Sequence, residues 1–252
     1  MVLQAHEGRL ITAPGPRVLV ATAVPAERDA VARAFGTQAH EVPLPGVTLH
    51  RVGDRYDLVA AGVGPALAAA STATALTAAA LRGTPYGLVV SAGIAGGFPP
   101  DAPLGSLVVA DTVTAADLGA ETPDGFLPVT ELGFGTVHHR PPESLVREAS
   151  AATGARVGTV LTVSTVTGSA ERAAELRARH PRALAEAMEG FGVAEAAAAH
   201  GTPVLELRAV SNPVGPRDRA AWRIADALAA LTEGFGKLAP VLESWTSHDR
   251  AE

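Results

Sequence analysis

The sequence predicts an α/β fold, a three-layer α-β-α sandwich around a central, mostly parallel mixed sheet. Three observations carry this. Short β-branched runs alternate with longer Ala/Leu stretches of helical period from residue 17 to about 240, nothing in between has the composition of a linker, and runs such as Leu88–Ala92 are apolar throughout. Continuous apolar strands separated by crossover helices belong to parallel sheets covered on both faces. The 252 residues suit one such domain, with loose tails expected at 1–16 and 243–252.

The elements follow in order. Val18–Ala23 reads as a strand, then Pro25–Phe35 as a helix with Pro in its first turn and Gly36 at its end. Val47–Val52 and Leu58–Ala61 are strands, Pro65–Leu81 a helix, and Leu88–Ala92 a buried strand. The turn-rich GIAGGFPPDAPLG precedes a strand at Ser106–Asp111, and residues 113 to 141, rich in Gly and Pro, read as loops and short strands over one edge. Pro142–Ala152 is helical and Arg156–Val163 extended. Ser169 caps a helix with Glu171 in its first turn. Ala183–His200 reads as one long helix stopped by Gly201, Pro203–Ser211 as a strand and Arg217–Lys237 as the last helix. Ligands in such folds sit beyond the carboxyl ends of the strands, which directs attention to the segments at 22–28, 62–65, 91–97, 163–169 and 211–218.

Composition removes several function classes. With no Cys, the chain has no disulfide scaffold, thiolate nucleophile, iron–sulfur cluster or thiolate zinc site. Its formal charge of −6, with Lys237 the one lysine, argues against nucleic acid as a partner. Leu58–Leu81 is uncharged and long enough in residues to cross a bilayer, yet Gly62, Gly64 and Pro65 break it into a strand, a turn and an Ala-rich helix. The amino terminus carries Glu7 and Pro14 where a signal peptide needs an unbroken apolar core, so a cytoplasmic location is expected.

The single motifs are each weak. AGVGPALA at 61–68 has Leu67 where a dinucleotide-binding loop needs its third glycine, and no acid follows about twenty residues on. SAGIAGG at 91–97 offers backbone amides to a close ligand, or is a plain turn. EAMEG at 186–190 places Glu189 on a helix of small and apolar residues, and a solvated face is its ordinary explanation. LRAVSN at 207–212 ends a strand on Ser211 and Asn212, residues that commonly serve turns. His138 and His139 are adjacent and point apart if extended, so no metal site is expected.

As a set, these segments say more. VATAVPAERDAV at 20–31, AGVGPALAAAST at 61–72, SAGIAGGFPPDAPLGSLVVAD at 91–111, EAMEG and LRAVSN occur in the order and spacing of the nucleoside phosphorylase and nucleosidase superfamily. Over about residues 17 to 240 the chain resembles its methylthioadenosine/S-adenosylhomocysteine nucleosidases, and is most similar to the futalosine hydrolases of menaquinone biosynthesis. The resemblance implies hydrolysis of the N-glycosidic bond of a purine nucleoside through an oxocarbenium-like ribosyl cation, without a cofactor. It implies that Glu27 deprotonates the attacking water, that Glu189 accepts hydrogen bonds from the ribose hydroxyls, and that Met188 lies against the sugar. It further implies that Ser91, Ala92 and Gly93 line ribose and base and that Val166 and Thr167 meet the purine edge, with Val166 where the nucleosidases carry an aromatic residue. Related dimers close this pocket with the neighbouring subunit, so a homo-oligomer, a dimer first, is expected.

Asn212 departs from the adenine-releasing nucleosidases, which carry Asp there. An amide can donate to purine N7 and to the O6 of a 6-oxopurine, so the site looks built for hypoxanthine. Asn cannot transfer a proton; Asp218 is a candidate acid, or simply a helix-start residue. Neither glycine segment contains Arg or Lys, and carboxylates without a cation repel phosphate, which favours water as nucleophile. Arg140, Arg217 and Arg219 are the candidates to meet the substrate's aromatic carboxylate. Two other functions stand beside this one: an adenine nucleosidase acting on methylthioadenosine, S-adenosylhomocysteine or aminodeoxyfutalosine, and a catalytically weak nucleoside-binding protein that keeps the pocket. Loss of Glu27 or Glu189 would mark the last; both are present.

Overall fold

A computed structural model describes residues 16–248, with side chains through Trp245. The strands are β1 (Arg17–Thr22), β2 (His40–Leu44), β3 (Val47–Val52), β4 (Tyr56–Ala60), β5 (Tyr86–Gly97), β6 (Leu107–Ala115), β7 (Gly119–Thr122), β8 (Gly125–Pro128), β9 (His138–His139), β10 (Arg156–Thr162), β11 (Ala183–Ala187) and β12 (Val204–Pro213). The helices are α1 (Pro25–Arg33), α2 (Pro65–Leu81), α3 (Glu143–Thr153), α4 (Ala170–Arg179), α5 (Gly190–Ala199) and α6 (Ile224–His248).

The main sheet runs β11-β10-β6-β12-β5-β1-β4-β3-β2, with β9 beside β6 and β7–β8 forming a separate hairpin. β1 pairs in parallel with β4 and β5, β5 with β12, and β10 with β6 and β11, while β12–β6 and the β2–β3–β4 meander are antiparallel. The sheet is therefore mixed, as expected. One pairing closes it: Ala185 and Glu186 of β11 lie antiparallel to Gly97 and Gly96 of β5, so the last strand in the order returns to the middle.

Alternation along β1 sends Val18 and Val20 to one face, with α1, α3 and α6, and Leu19 and Ala21 to the other, with α2 and α5. This gives the three layers. Each fully buried large apolar side chain, such as Leu231, Phe235, Leu238 and Leu242 of α6, contributes roughly 1.5–3 kcal/mol. On the opposite face, α2 and α5 pack so closely that a Cβ on Gly192 would lie 2.0 Å from the Pro65 carbonyl oxygen.

Several expectations need correction. The long helix over Ala183–His200 is two elements, β11 and α5, because the Ala-rich segment 183–187 takes its backbone hydrogen bonds from β10 and β5, and tertiary pairing outweighs helix propensity. SAGIAGG is no loop: β5 continues to Gly97. Glycines suit that stretch since a Cβ on Gly97 would meet the Ala102 carbonyl oxygen at 2.2 Å. The last helix begins at Ile224, after a short 3-10 turn at Arg219–Ala221, and runs to His248 with Leu242 and Trp245 buried, where a loose tail from 243 was expected. Strand β2 was missed because its alternation is short, only Val42 and Leu44 facing the core, and Pro43 interrupts it. Residues 1–15 and 249–252 lie outside the described residues, and with them most of the expected amino-terminal tail.

Candidate active site

The carboxyl ends of β1, β5 and β12 and the junction between β11 and α5 converge on a cavity of about 240 Å³. Glu27, Val166, Thr167, Met188, Glu189 and Asn212 all line it. Residues almost 190 positions apart in sequence thus meet in one place.

Glu27 sits in the first turn of α1, buried. Its Oε2 accepts from the backbone N–H of Ala23 (2.9 Å) and Val24 (3.2 Å), and Oε1 from Ile94 N–H (2.8 Å). Three amides fix its direction. Burial pushes its carboxyl above the ordinary glutamate range, against the pull of the Arg208 guanidinium and the Ile94 and Val24 amides and with the added push of Glu189. Gly93 permits this approach, for a Cβ there would lie 2.6 Å from Oε1.

Glu189 caps the start of α5 rather than facing solvent from a helix, and is buried. Its Oε1 accepts from Gly64 N–H at 3.3 Å, while Oε2 lies 3.3 Å from Nη1 of Arg208. Arg208 is the residue that sequence reasoning missed. Fully buried on β12, it donates Nε to Glu206 Oε1 (2.8 Å) and Nη2 to Ser91 Oγ (3.0 Å). Burial works against its charge, but Glu206, Glu189 and Glu27 together prevail and raise its pKa. Burial likewise raises Glu206, against the Arg208 guanidinium. The signal was present: Glu206 and Arg208 are opposite charges two apart, hence on one face, in the otherwise apolar strand VLELRAV.

Glu186 holds the segment beside the cavity, accepting from Thr167 N–H (2.9 Å) and Thr167 Oγ1 (2.5 Å). Asn212 stands at the rim with Oδ1 accepting from Ser211 Oγ (2.9 Å) and its amide nitrogen on the Pro213 carbonyl (3.0 Å). Trp222, also overlooked, closes another wall.

Other expected residues fall elsewhere. The wall from β5 is Ile94, Ala95 and Gly96 rather than Ser91–Gly93; Ser91 reaches the cluster through Arg208, and strand alternation turns Ala92 into the opposite core layer. Asp218 caps the 3-10 turn, accepting from Ala220 N–H at 3.1 Å, and does not line the cavity. Arg140 lines a different cleft. Arg217 stacks over Trp222, 5.3 Å from its ring centre, and so stands beside the cavity. Among the described residues, no cluster of three or more His, Asp or Glu is arranged to hold a metal, and no helix is long and apolar enough to cross a membrane.

The profile of the Phosphorylase superfamily matches residues 17–243. The chain is 78% identical over 233 residues to futalosine hydrolase of Streptomyces coelicolor, covering 92% of this chain and 99% of that one. The chain belongs to the futalosine hydrolases. The family enzyme of Acidothermus cellulolyticus is 46% identical over 226 residues, 87% of this chain and 89% of that protein. In three dimensions the fold is shared with futalosine hydrolase of Helicobacter pylori, at TM-score 0.75 and 20% identity over 89% of this chain and 97% of that one. It is shared equally with methylthioadenosine/S-adenosylhomocysteine nucleosidase of Neisseria meningitidis, at TM-score 0.75 and 21% identity over 89% and 98%.

Proposed function

We propose that this futalosine hydrolase family member cleaves the N-glycosidic bond of futalosine with water, releasing hypoxanthine and dehypoxanthine futalosine for menaquinone synthesis. The observation that carries the mechanism is the placement of Glu27 and Glu189 in one cavity, with the Arg208 guanidinium beside both.

In this reading, a water against Glu27 loses its proton to the carboxylate as its oxygen bonds to C1′ of the ribosyl cation. The electron pair of the broken C–N bond goes to the purine. General-base help of this kind contributes roughly 10²–10⁴-fold. Glu189, an acceptor-only carboxylate, takes the ribose hydroxyl hydrogen bonds. Arg208 sets one positive charge beside Glu189 and Glu27, and Met188 packs on the sugar. The Asn212 amide exchanges its bond to the Pro213 carbonyl for N7 and O6 of the departing hypoxanthine, which leaves as a hydrogen-bonded anion and takes its proton from solvent.

Phosphorolysis fits less well. No cavity-lining residue is Arg or Lys, and Arg208 is already engaged by Glu206, Glu189 and Ser91. Phosphate at the water position would meet the Glu27 and Glu189 carboxylates, with Arg208 already engaged by its partners. Arg217 on Trp222 is the cation placed to receive the substrate's carboxylate. A homo-oligomer fits the exposure of Val63, Leu67 and Phe134, apolar side chains at 53%, 55% and 62%, the first of them next to Gly64 and its bond to Glu189. A cytoplasmic setting follows from the pathway reading alone.

The test is incubation with futalosine, its 6-amino analogue, inosine and methylthioadenosine, with and without phosphate, followed by chromatography of the released bases. Hypoxanthine from futalosine at a rate independent of phosphate is expected. Faster adenine release, or dependence on phosphate, would overturn the reading.

A further inference from the structure

A second and larger cleft, about 850 Å³, lies between α3, the strands β6 and β10, and the turn from α4 into β11. It shares no lining residue with the catalytic cavity. Four arginines border it, Arg140 and Arg147 from the α3 side and Arg179 and Arg182 from the opposite wall, with His138 and His180, against the carboxylates Asp111 and Glu143. Such a concentration of cations is unexpected in a chain of net charge −6.

The charges are only partly used. Arg182 pairs with Asp111, and Arg179 Nε with Glu175 at 3.4 Å while its guanidinium lies 4.4 Å over the Phe126 ring. Arg179 Nη2, His180 Nε2 and Asp111 Oδ1 are buried without a hydrogen-bond partner. Among the described residues, the side chains of Arg140 and Arg147 have neither hydrogen bond nor ion pair, and no salt bridge holds Glu143. Burial depresses both histidines, His180 to about 4, and neighbouring cations add to it: Arg179, His138 and Arg172 at His180, Arg140 and His139 at His138. Hydroxyls of Thr112, Ser150 and Thr159 complete the lining. A concave site with unspent donors and excess positive charge is complementary to an anion.

We propose that this cleft is a second ligand site, built for a small multivalent oxyanion, a phosphorylated or polycarboxylate metabolite. Such a ligand gives the exposed guanidiniums of Arg140 and Arg147, both on the lining of the cleft, the charge-assisted partners they lack.

Calorimetric titration of the full chain with pyrophosphate, and separately with citrate, tests this at about 50 and about 300 mM salt. Saturable binding of at least one probe at one per chain, weakened at the higher salt, is expected, and which probe binds distinguishes phosphate from carboxylate chemistry. The exposed double substitution R140A/R147A should lower that affinity about tenfold or more. E27Q should bind the probe as the parent does, and hypoxanthine should not displace it. No saturable binding of either probe, unchanged affinity in R140A/R147A, or displacement by hypoxanthine would overturn the proposal.

Discussion

Oε1 of Glu206 lies 2.8 Å from Nε of Arg208, and both side chains are sealed from solvent beneath the catalytic cavity. Glu206 does not line the cavity. It anchors one end of the guanidinium whose other nitrogens reach Glu189 and Ser91. Glu206→Ala removes a charge-assisted hydrogen bond and leaves a void, at a cost of about 1.5–3 kcal/mol in unfolding free energy. Activity should fall as well, because Arg208 is free to leave Glu189. Glu206→Gln keeps an acceptor for Nε and should recover most of both. Urea melts and turnover of the two variants decide this; equal loss in both would mean that the charge, not the anchoring bond, matters.

Glu27→Gln should lower turnover about 10²–10⁴-fold while the fold persists. A stability loss of about 1–3 kcal/mol accompanies it, since three backbone donors face this carboxylate and an amide nitrogen cannot accept from them. The pH profile gives an independent check. A general base works unprotonated, so kcat/KM is full above its pKa and falls as pH drops through it. Burial raises Glu27, which places the acid limb above the ordinary glutamate value of 4.5. A limb at or below that value would rule Glu27 out as the base.

Asn212→Asp should shift preference from 6-oxopurine toward 6-aminopurine nucleosides. Mismatched donors at a buried site cost on the order of 1–3 kcal/mol, enough to invert a modest preference. Competition between futalosine and its 6-amino analogue measures the ratio directly. Equal loss for both bases would make Asn212 a structural residue of the β12 end.

Arg217→Ala should raise KM for futalosine about two- to fivefold, the scale of an exposed charge contact. Inosine, which lacks the carboxylate, should be unaffected. A parallel rise for both substrates would show that Arg217 acts by supporting Trp222 instead.

The fold was legible where local pattern and tertiary role agree: β1 and β10, the glycine turn before α2, the Ser169 cap. It was illegible where pairing across the sheet overrides composition, as in the alanine-rich β11 and the glycine-rich end of β5. At the site, Glu27, Glu189 and Asn212 were legible only through the order and spacing of the segments that carry the family resemblance, since each motif alone had an ordinary explanation as a helix acid or a turn residue. Arg208 was hidden because its role depends on three partners from separate elements. Only its opposite charge two residues from Glu206 betrayed it.

The return of β11 to β5 bears on how a growing chain acquires its chemistry. Strand β12 slots between β5 and β6, which are already made, and it alone delivers Arg208 and Asn212. Without β12 the cavity would bring Glu27 and Glu189 together with no Arg208 guanidinium beside them. Insertion of β12 supplies the counter-charge, the base contact and the missing central strand in one event. One strand from the last fifth of the chain thus joins the two halves of the sheet and brings both the guanidinium and the amide to the cavity.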